Sequence, residues 1–301
     1  MIPICLVTGF LGSGKTTFLK HLVATRGDER IVFLVNEFSP HNVDGALLEQ
    51  VEEDVVAIPG GSIFCRCLVT QFLGNLRAIP DRFDREDDPL AGVVIEASGV
   101  ANPMVIEQML AETRLDEVYE LATIIAVVDP GSLPKLVQTL PNIRAQIEAA
   151  DVVLLNKVDR FGPDEVAEAE RIVRRIKDRA PIVRTVRCAT EIDLFAGGGP
   201  RGLQGDYAPC ADPSYTRFSV GFDGPVDVAG LTCELERLRE DIYRAKGVVQ
   251  TADGYAYVDM TAAELIVEGV RDFGAEPGLA IIARGDASEG VQDLVRRLSG
   301  S

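Results

Sequence analysis

Seven short apolar runs recur through the first 186 residues: "ICLVT" (4–8), "IVFLV" (31–35), "VVAI" (55–58), "GVVIE" (92–96), "TIIAVV" (123–128), "DVVLL" (151–155) and "IVRTV" (182–186). Most are apolar along their length and do not alternate with polar residues. A strand with one wet face alternates, whereas a strand covered on both faces does not. The runs therefore predict a mainly parallel sheet sandwiched by helices. Helical patterns lie between them. One helix is expected to begin near Thr16. Asn102 followed by Pro103 reads as an N-cap with proline in the first turn. "GPDEVAEAERIVRRIKDR" (162–179) places acids in its first turn and bases in its last, matching the helix dipole. This βα alternation predicts a doubly wound α/β domain over residues 1–195.

The pattern breaks at "AGGGPRGLQGDYAPCADP" (196–213), where Gly and Pro cannot sustain a regular element, so the stretch reads as a linker. Residues 214–301 form a smaller α+β domain beyond it. "YTRFSVGF" reads as a strand. "VDVAGLTCELERLREDIYR" carries a helical stripe of Val228, Leu231, Leu235, Leu238 and Ile242. "GVVQT" and "YAYVDM" read as a strand pair around the turn dipeptide Asp253-Gly254. "LAIIAR" reads as a last strand and "SEGVQDLVRRL" as a Ser-capped helix.

Length and composition narrow the setting. The 301 residues suffice for two cores. A net charge of −17 disfavours nucleic acid or an anionic membrane as the primary partner, because phosphate contacts need a Lys/Arg surplus. No apolar run approaches the ~20 residues of a membrane helix. The first residues lack the basic start and cleavage site of a signal peptide. The six cysteines form no disulfide framework, so a reducing cytoplasm is the expected location. Cys5, Cys188 and Cys233 read as small hydrophobes.

The stretch "GFLGSGKTTF" carries the chemistry. Gly9-x-x-x-x-Gly14-Lys15-Thr16 lies between a buried strand and a helix, the context a phosphate-binding loop requires. Glycines such as Gly9, Gly12 and Gly14 let successive N–H groups converge on phosphate oxygens, and the helix adds its positive end. Lys15 is expected on the β- and γ-phosphates, with Ser13 and Thr17 completing the cradle and the Thr16 hydroxyl on Mg²⁺. "NKVD" (156–159) comes directly after the buried strand "DVVLL". Asp159 there can accept from guanine N1–H and the exocyclic amine, which favours GTP over ATP, with Asn156 and Lys157 sharing the base site. Cys188-Ala189-Thr190 is a further candidate for the guanine edge. Glu96, closing "VVIE", is placed to hold Mg²⁺ through water. Lys15, Thr16 and Glu96 are thus the catalytic candidates. A small-molecule kinase would leave "NKVD" without a purpose.

Taken together, "GFLGSGKTTFL", "VNEF…VDGALL", "PGGSIFCRC", "EASGVANP", "AVVDP", "NKVD" and the late "RAKG" (244–247) resemble the CobW-type GTPases, P-loop proteins linked to metal delivery and cobalamin metabolism. The resemblance implies GTP hydrolysis that gates transfer of zinc or cobalt to a client protein, and it fits a nucleotide-dependent homodimer. The chain departs from the family's Cys-x-Cys-Cys cluster: Ser62 and Phe64 stand where two cysteines are expected, Cys65 remains, and Cys67 is an additional thiol. Glu37 persists, but Ser39-Pro40 replaces the residues that usually come next. Cys65 and Cys67 with Glu37 or His41 are the candidate Zn²⁺ or Co²⁺ ligands. The alternative is that the two thiols merely pack beside Phe64. The chain would then be a metal-free GTP-dependent switch or chaperone for a corrinoid or other cofactor enzyme.

Overall fold

The apolar runs assemble into one sheet because each buries both of its faces. A computed structural model describes residues 1–37, 55–59, 64, 69–85, 87–197, 199–207, 215–222, 224–261, 264–270 and 277–299; over 36–37 and 55–59 it describes the backbone alone. The described residues up to 207 belong to one compact unit and those from 215 onward to another.

In the first unit seven described strands succeed one another: β1 (Ile2–Thr8), β2 (Ile31–Glu37), β3 (Val55–Pro59), β4 (Gly92–Glu96), β5 (Tyr119–Val128), β6 (Val152–Leu155) and β7 (Ile182–Arg184). They lie in the order β3-β2-β4-β1-β5-β6-β7, and every neighbouring pair is parallel. Helices α1 (Lys15–Thr25), α2 (Val69–Phe83), α3 (Ile106–Glu112), α4 (Leu133–Thr139), α5 (Pro141–Ala149) and α6 (Pro163–Ile176) alternate with them. This is a doubly wound α/β fold of the P-loop NTPase kind. From α1, Phe18, Leu19 and Leu22 pack with Cys5 and Val7 of β1 and with Val35, Val94 and Val127 of neighbouring strands. Burying each such side chain stabilises by about 1.5–3 kcal/mol, so the start of α1 is held rigidly against the sheet. Strand order reverses beside β1, and its carboxyl end is where such sheets bind ligands.

Several elements differ from the sequence reading. β5 begins at Tyr119 rather than Thr123, and the Tyr119 hydroxyl donates to the Leu76 carbonyl of α2 at 2.7 Å. β7 stops at Arg184, short of the expected Val186, and the Thr185 hydroxyl just beyond it donates to Asn156. Asn102 does accept from the Met104 amide at 3.1 Å, but the cap leads first into a 3₁₀ turn, Pro103–Val105, and then into α3. The described part of 196–213 has no regular element, yet it is not a loose tether. The Arg201 guanidinium donates to both Asp151 carboxylate oxygens and to the Leu121 and Ala122 carbonyls. The amides of Arg201 and Leu203 donate to Glu107. Composition predicts a linker; specific polar contacts make residues 201–207 a strap on the first unit.

The second unit is built from β8 (Tyr215–Gly221), α7 (Val228–Arg237), β9 (Ile242–Thr251), β10 (Gly254–Thr261), β11 (Leu265–Val270), β12 (Gly278–Arg284) and α8 (Glu289–Leu298). Its strands form an antiparallel sheet in the order β11-β10-β9-β12-β8. Leu231 and Leu235 of α7 and Val291 and Leu294 of α8 pack onto one face. The helical stripe expected to reach Ile242 ends at Arg237 instead. Ile242 opens β9 and pairs with Ala283, reaching the same core from a strand. The "RAKG" segment lies inside that strand. Gly247 is needed there, since a Cβ would stand 1.9 Å from the Gly278 carbonyl oxygen. Ser288 sits at the N-cap of α8, but its hydroxyl donates to Asp241 at 2.8 Å rather than serving the helix. Cys233, expected in a core, is exposed on α7.

Candidate functional site

β1 ends at Thr8, and the next six residues make the phosphate loop. Gly9, Gly12 and Gly14 adopt φ of 134°, 80° and 119°, a region side-chain-bearing residues rarely enter. Close packing adds to this demand. A Cβ on Gly9 would lie 2.1 Å from the Val127 carbonyl oxygen, and one on Gly14 would lie 2.3 Å from Asn156 Nδ2. α1 begins at Lys15 with Gly14 as its cap, no side-chain capping bond and no acid in its first turn. Its positive end is therefore left for an anion. Lys15 is 6% exposed and curls over the loop, its Nζ donating to the Gly9 carbonyl at 2.9 Å and the Phe10 carbonyl at 3.2 Å. Ser13 is buried and Thr17 exposed.

Glu96 closes β4, the parallel neighbour of β1, in register with Val7. It is 5% exposed, and Oε1 accepts from the Thr16 hydroxyl at 3.4 Å. The fold thus brings together two side chains eighty positions apart that suit a divalent cation. Three buried hydroxyls in this region, Thr8 Oγ1, Ser13 Oγ and Ser98 Oγ, have no hydrogen-bond partner among the described residues. A buried unsatisfied group costs about 1–3 kcal/mol. Such hydroxyls beside a glycine nest, a lysine and a carboxylate fit a site made for a phosphate and its Mg²⁺.

The "NKVD" residues occupy the turn after β6. Asn156 is 1% exposed. Its Nδ2 donates to the Ser13 carbonyl at 2.9 Å, while Oδ1 accepts from the Thr185 hydroxyl at 3.1 Å and the Cys188 amide at 2.9 Å. Asn156 therefore ties the phosphate loop to the segment that comes after β7. The sequence placed it at the base and did not foresee this tying role, because its partners come from distant parts of the chain. Lys157 takes a left-handed φ of 61° ahead of a 3₁₀ turn, Val158–Arg160, in which Asp159 is exposed.

Cys188-Ala189-Thr190 folds onto the same region. Arg187 and Cys188 both have positive φ, and the buried Cys188 thiol donates to the Gly14 carbonyl at 3.4 Å. Burial pushes that thiol up to about 12, so it stays protonated. His21 of α1 accepts at Nε2 from the Thr190 amide at 3.3 Å, and Nε2 lies 3.1 Å from the Thr190 carbonyl oxygen. The histidine holds this loop to the helix that succeeds the phosphate loop.

Cys65, Cys67 and His41 lie outside the described residues. Glu37 ends β2, and nothing of its side chain is described. Phe64 is fully buried and meets Phe72 of α2 edge to face, ring centroids 6.2 Å apart. Among the described residues no three His, Cys, Asp or Glu side chains cluster as a metal site. No described helix is long and apolar enough to cross a membrane.

A family model described as CobW/HypB/UreG, nucleotide-binding domain, matches residues 3–184. The chain is 26% identical over 288 residues to the zinc chaperone YjiA of Escherichia coli, covering 90% of this chain and 86% of that protein. It is 34% identical over 175 residues to the zinc chaperone YeiR of the same organism, covering 55% of this chain and 49% of that one. The chain thus spans most of the first relative and about half of the second. A solved structure of Zn(II)-bound YjiA GTPase from E. coli aligns over 99% of this chain and 98% of that one, at 20% identity and a TM-score of 0.48.

Proposed function

The chain belongs to the CobW/HypB/UreG family, and on that premise we propose that it is a GTP-binding, GTP-hydrolysing metallochaperone. It would hydrolyse GTP to GDP and phosphate and use the change of nucleotide to hand zinc or cobalt, its cargo, to a client metalloprotein. One observation carries the nucleotide half of this reading. The Thr16 hydroxyl meets Glu96 at the carboxyl end of β4, Lys15 lies over the carbonyls of the adjoining loop, and Asn156 ties that loop, at Ser13, to the "NKVD" turn. Thr16 and Glu96 would hold Mg²⁺, which supplies positive charge to the phosphate oxygens as the bond breaks. Gly9, Gly12, Ser13, Gly14 and Thr17 line the phosphate side. Asp159, exposed in the "NKVD" turn, can accept from guanine N1–H and the exocyclic amine, which supports guanine rather than adenine.

The reading is tested with Lys15→Ala. Binding of a fluorescent guanine nucleotide and GTP hydrolysis should both vanish, with the thermal melt retained. Tight GTP binding by this variant would refute the assignment. The metal half rests on the names of the relatives and on Cys65, Cys67 and Glu37. A second reading, a metal-free GTP-dependent switch acting on a cofactor enzyme, draws on Phe64. An aromatic ring packed against Phe72 stands where the family's cysteines are expected. Titration of metal-free protein with Co²⁺ and Zn²⁺, with and without non-hydrolysable GTP, separates the two. A thiolate-to-cobalt band, lost in Cys65→Ser/Cys67→Ser, supports the chaperone. Unaltered GTP turnover with no stoichiometric metal uptake supports the switch.

A further inference from the structure

α5 carries Asn142 and Gln146 one helical turn apart, on the same face as each other. Gln146 is 1% exposed between Ile143 and Ile147, both core residues. A leucine would pack there with no polar group to satisfy, whereas a buried amide is costly unless bonded. Its Nε2 donates to the Gly99 carbonyl at 3.2 Å and the Ala101 carbonyl at 3.0 Å. Asn142 Nδ2 donates to the Val100 carbonyl at 2.8 Å. Two side chains thus hold three consecutive carbonyls of the buried loop that comes after Glu96.

That loop lies directly on the phosphate loop. A Cβ on Gly99 would stand 2.4 Å from Leu11 Cγ and 2.5 Å from the Leu11 nitrogen. The Ala97 amide donates to Val7, and the Ala101 amide to Ser98. The C=O and N–H of a trans peptide point in opposite directions. Fixing the Gly99 carbonyl on α5 therefore turns the Val100 N–H away from that helix. α5 also runs through Ala150 and Asp151 into β6, whose end carries Asn156.

We propose that Asn142 and Gln146 are positioning residues for GTP hydrolysis, holding the backbone of residues 99–101 in register with Glu96 and the phosphate loop. This rests on the GTPase reading above. Neither side chain has a role in nucleotide affinity, which belongs to the phosphate loop and the "NKVD" turn. A misplacement of about 1 Å at a reacting centre costs up to about 100-fold in rate, so their loss should appear in kcat and not in binding.

The test uses the full chain with Mg²⁺. Wild type, Asn142→Ala, Gln146→Leu, the double variant and the surface control Arg144→Ala are compared for single-turnover GTP hydrolysis, Kd for fluorescent GDP, and Tm. The double variant should hydrolyse about tenfold or more slowly, with its GDP Kd within about threefold of wild type. Arg144→Ala should match wild type. Unchanged hydrolysis in folded Gln146→Leu overturns the proposal. So does an equal loss of hydrolysis, GDP affinity and Tm, which would mark the amides as fold supports. If Gln146→Leu fails to fold, the half-buried Asn142→Ala decides by the same split between rate and affinity. Absence of turnover in wild type itself refutes the GTPase reading and this proposal with it, and that failure appears before any variant is compared.

Discussion

Replacing Asn156 with alanine removes one donor and one doubly used acceptor from a position 1% exposed. The Ser13 carbonyl, the Thr185 hydroxyl and the Cys188 amide lose their partner together. A typical internal hydrogen bond contributes about 1 kcal/mol net, so the three sum to about 3 kcal/mol. In a unit of this size each kcal/mol moves Tm by about 2–4 °C, which gives a drop of about 6–12 °C. The same 3 kcal/mol, if all of it organises the nucleotide site, caps the loss of GDP affinity at about 150-fold. Circular dichroism melts of the nucleotide-free protein and fluorescent GDP titrations read the two quantities. Asn156→Asp refines the test: it keeps the acceptor for Thr185 and Cys188 but sets a carboxylate oxygen against the Ser13 carbonyl. It should lose affinity even where stability is partly retained. An alanine variant melting within about 2 °C of wild type, with unaltered GDP affinity, would refute the tying role of Asn156.

The geometry carries further expected outcomes. Gly14→Ala forces a Cβ at φ 119° to within 2.3 Å of Asn156 Nδ2, so a cost of about 1–3 kcal/mol and weakened nucleotide binding are expected; equal melts and affinities would show that the loop takes another path. Arg201→Met keeps the aliphatic stem but takes the guanidinium from Asp151 and from the Leu121 and Ala122 carbonyls. Urea denaturation should register about 2–3 kcal/mol, and a change under about 0.5 kcal/mol would return this segment to a plain tether. Brief alkylation of native protein, read by peptide mass spectrometry, should label exposed Cys233 ahead of Cys5 and Cys188, whose thiols are buried and pushed up by that burial. Native Cys188 labelled as fast as Cys233 would contradict its place beneath Gly14.

The apolar runs alone determined the parallel sheet, because continuous hydrophobicity over four to six residues has few other uses. The phosphate loop was equally legible. Its glycines report backbone angles, and all three act within six residues. Asn102 was legible as a cap because its partner is two residues away. Legibility failed where two local signals compete. The stripe from Val228 to Ile242 fits one helix, yet the chain turns after Leu238 and reaches the same core as strand β9. Periodicity records which residues are buried, not which element buries them. The rest was decided only by folding. Asn156 finds Ser13 across 143 positions, Gln146 finds Gly99 across 47, and Arg201 finds Asp151 across 50. An amide or a guanidinium advertises donors but no destination. Its partner is whichever carbonyl or carboxylate the packed helices and strands leave within reach, so these contacts exist only once the sheet has placed its loops side by side.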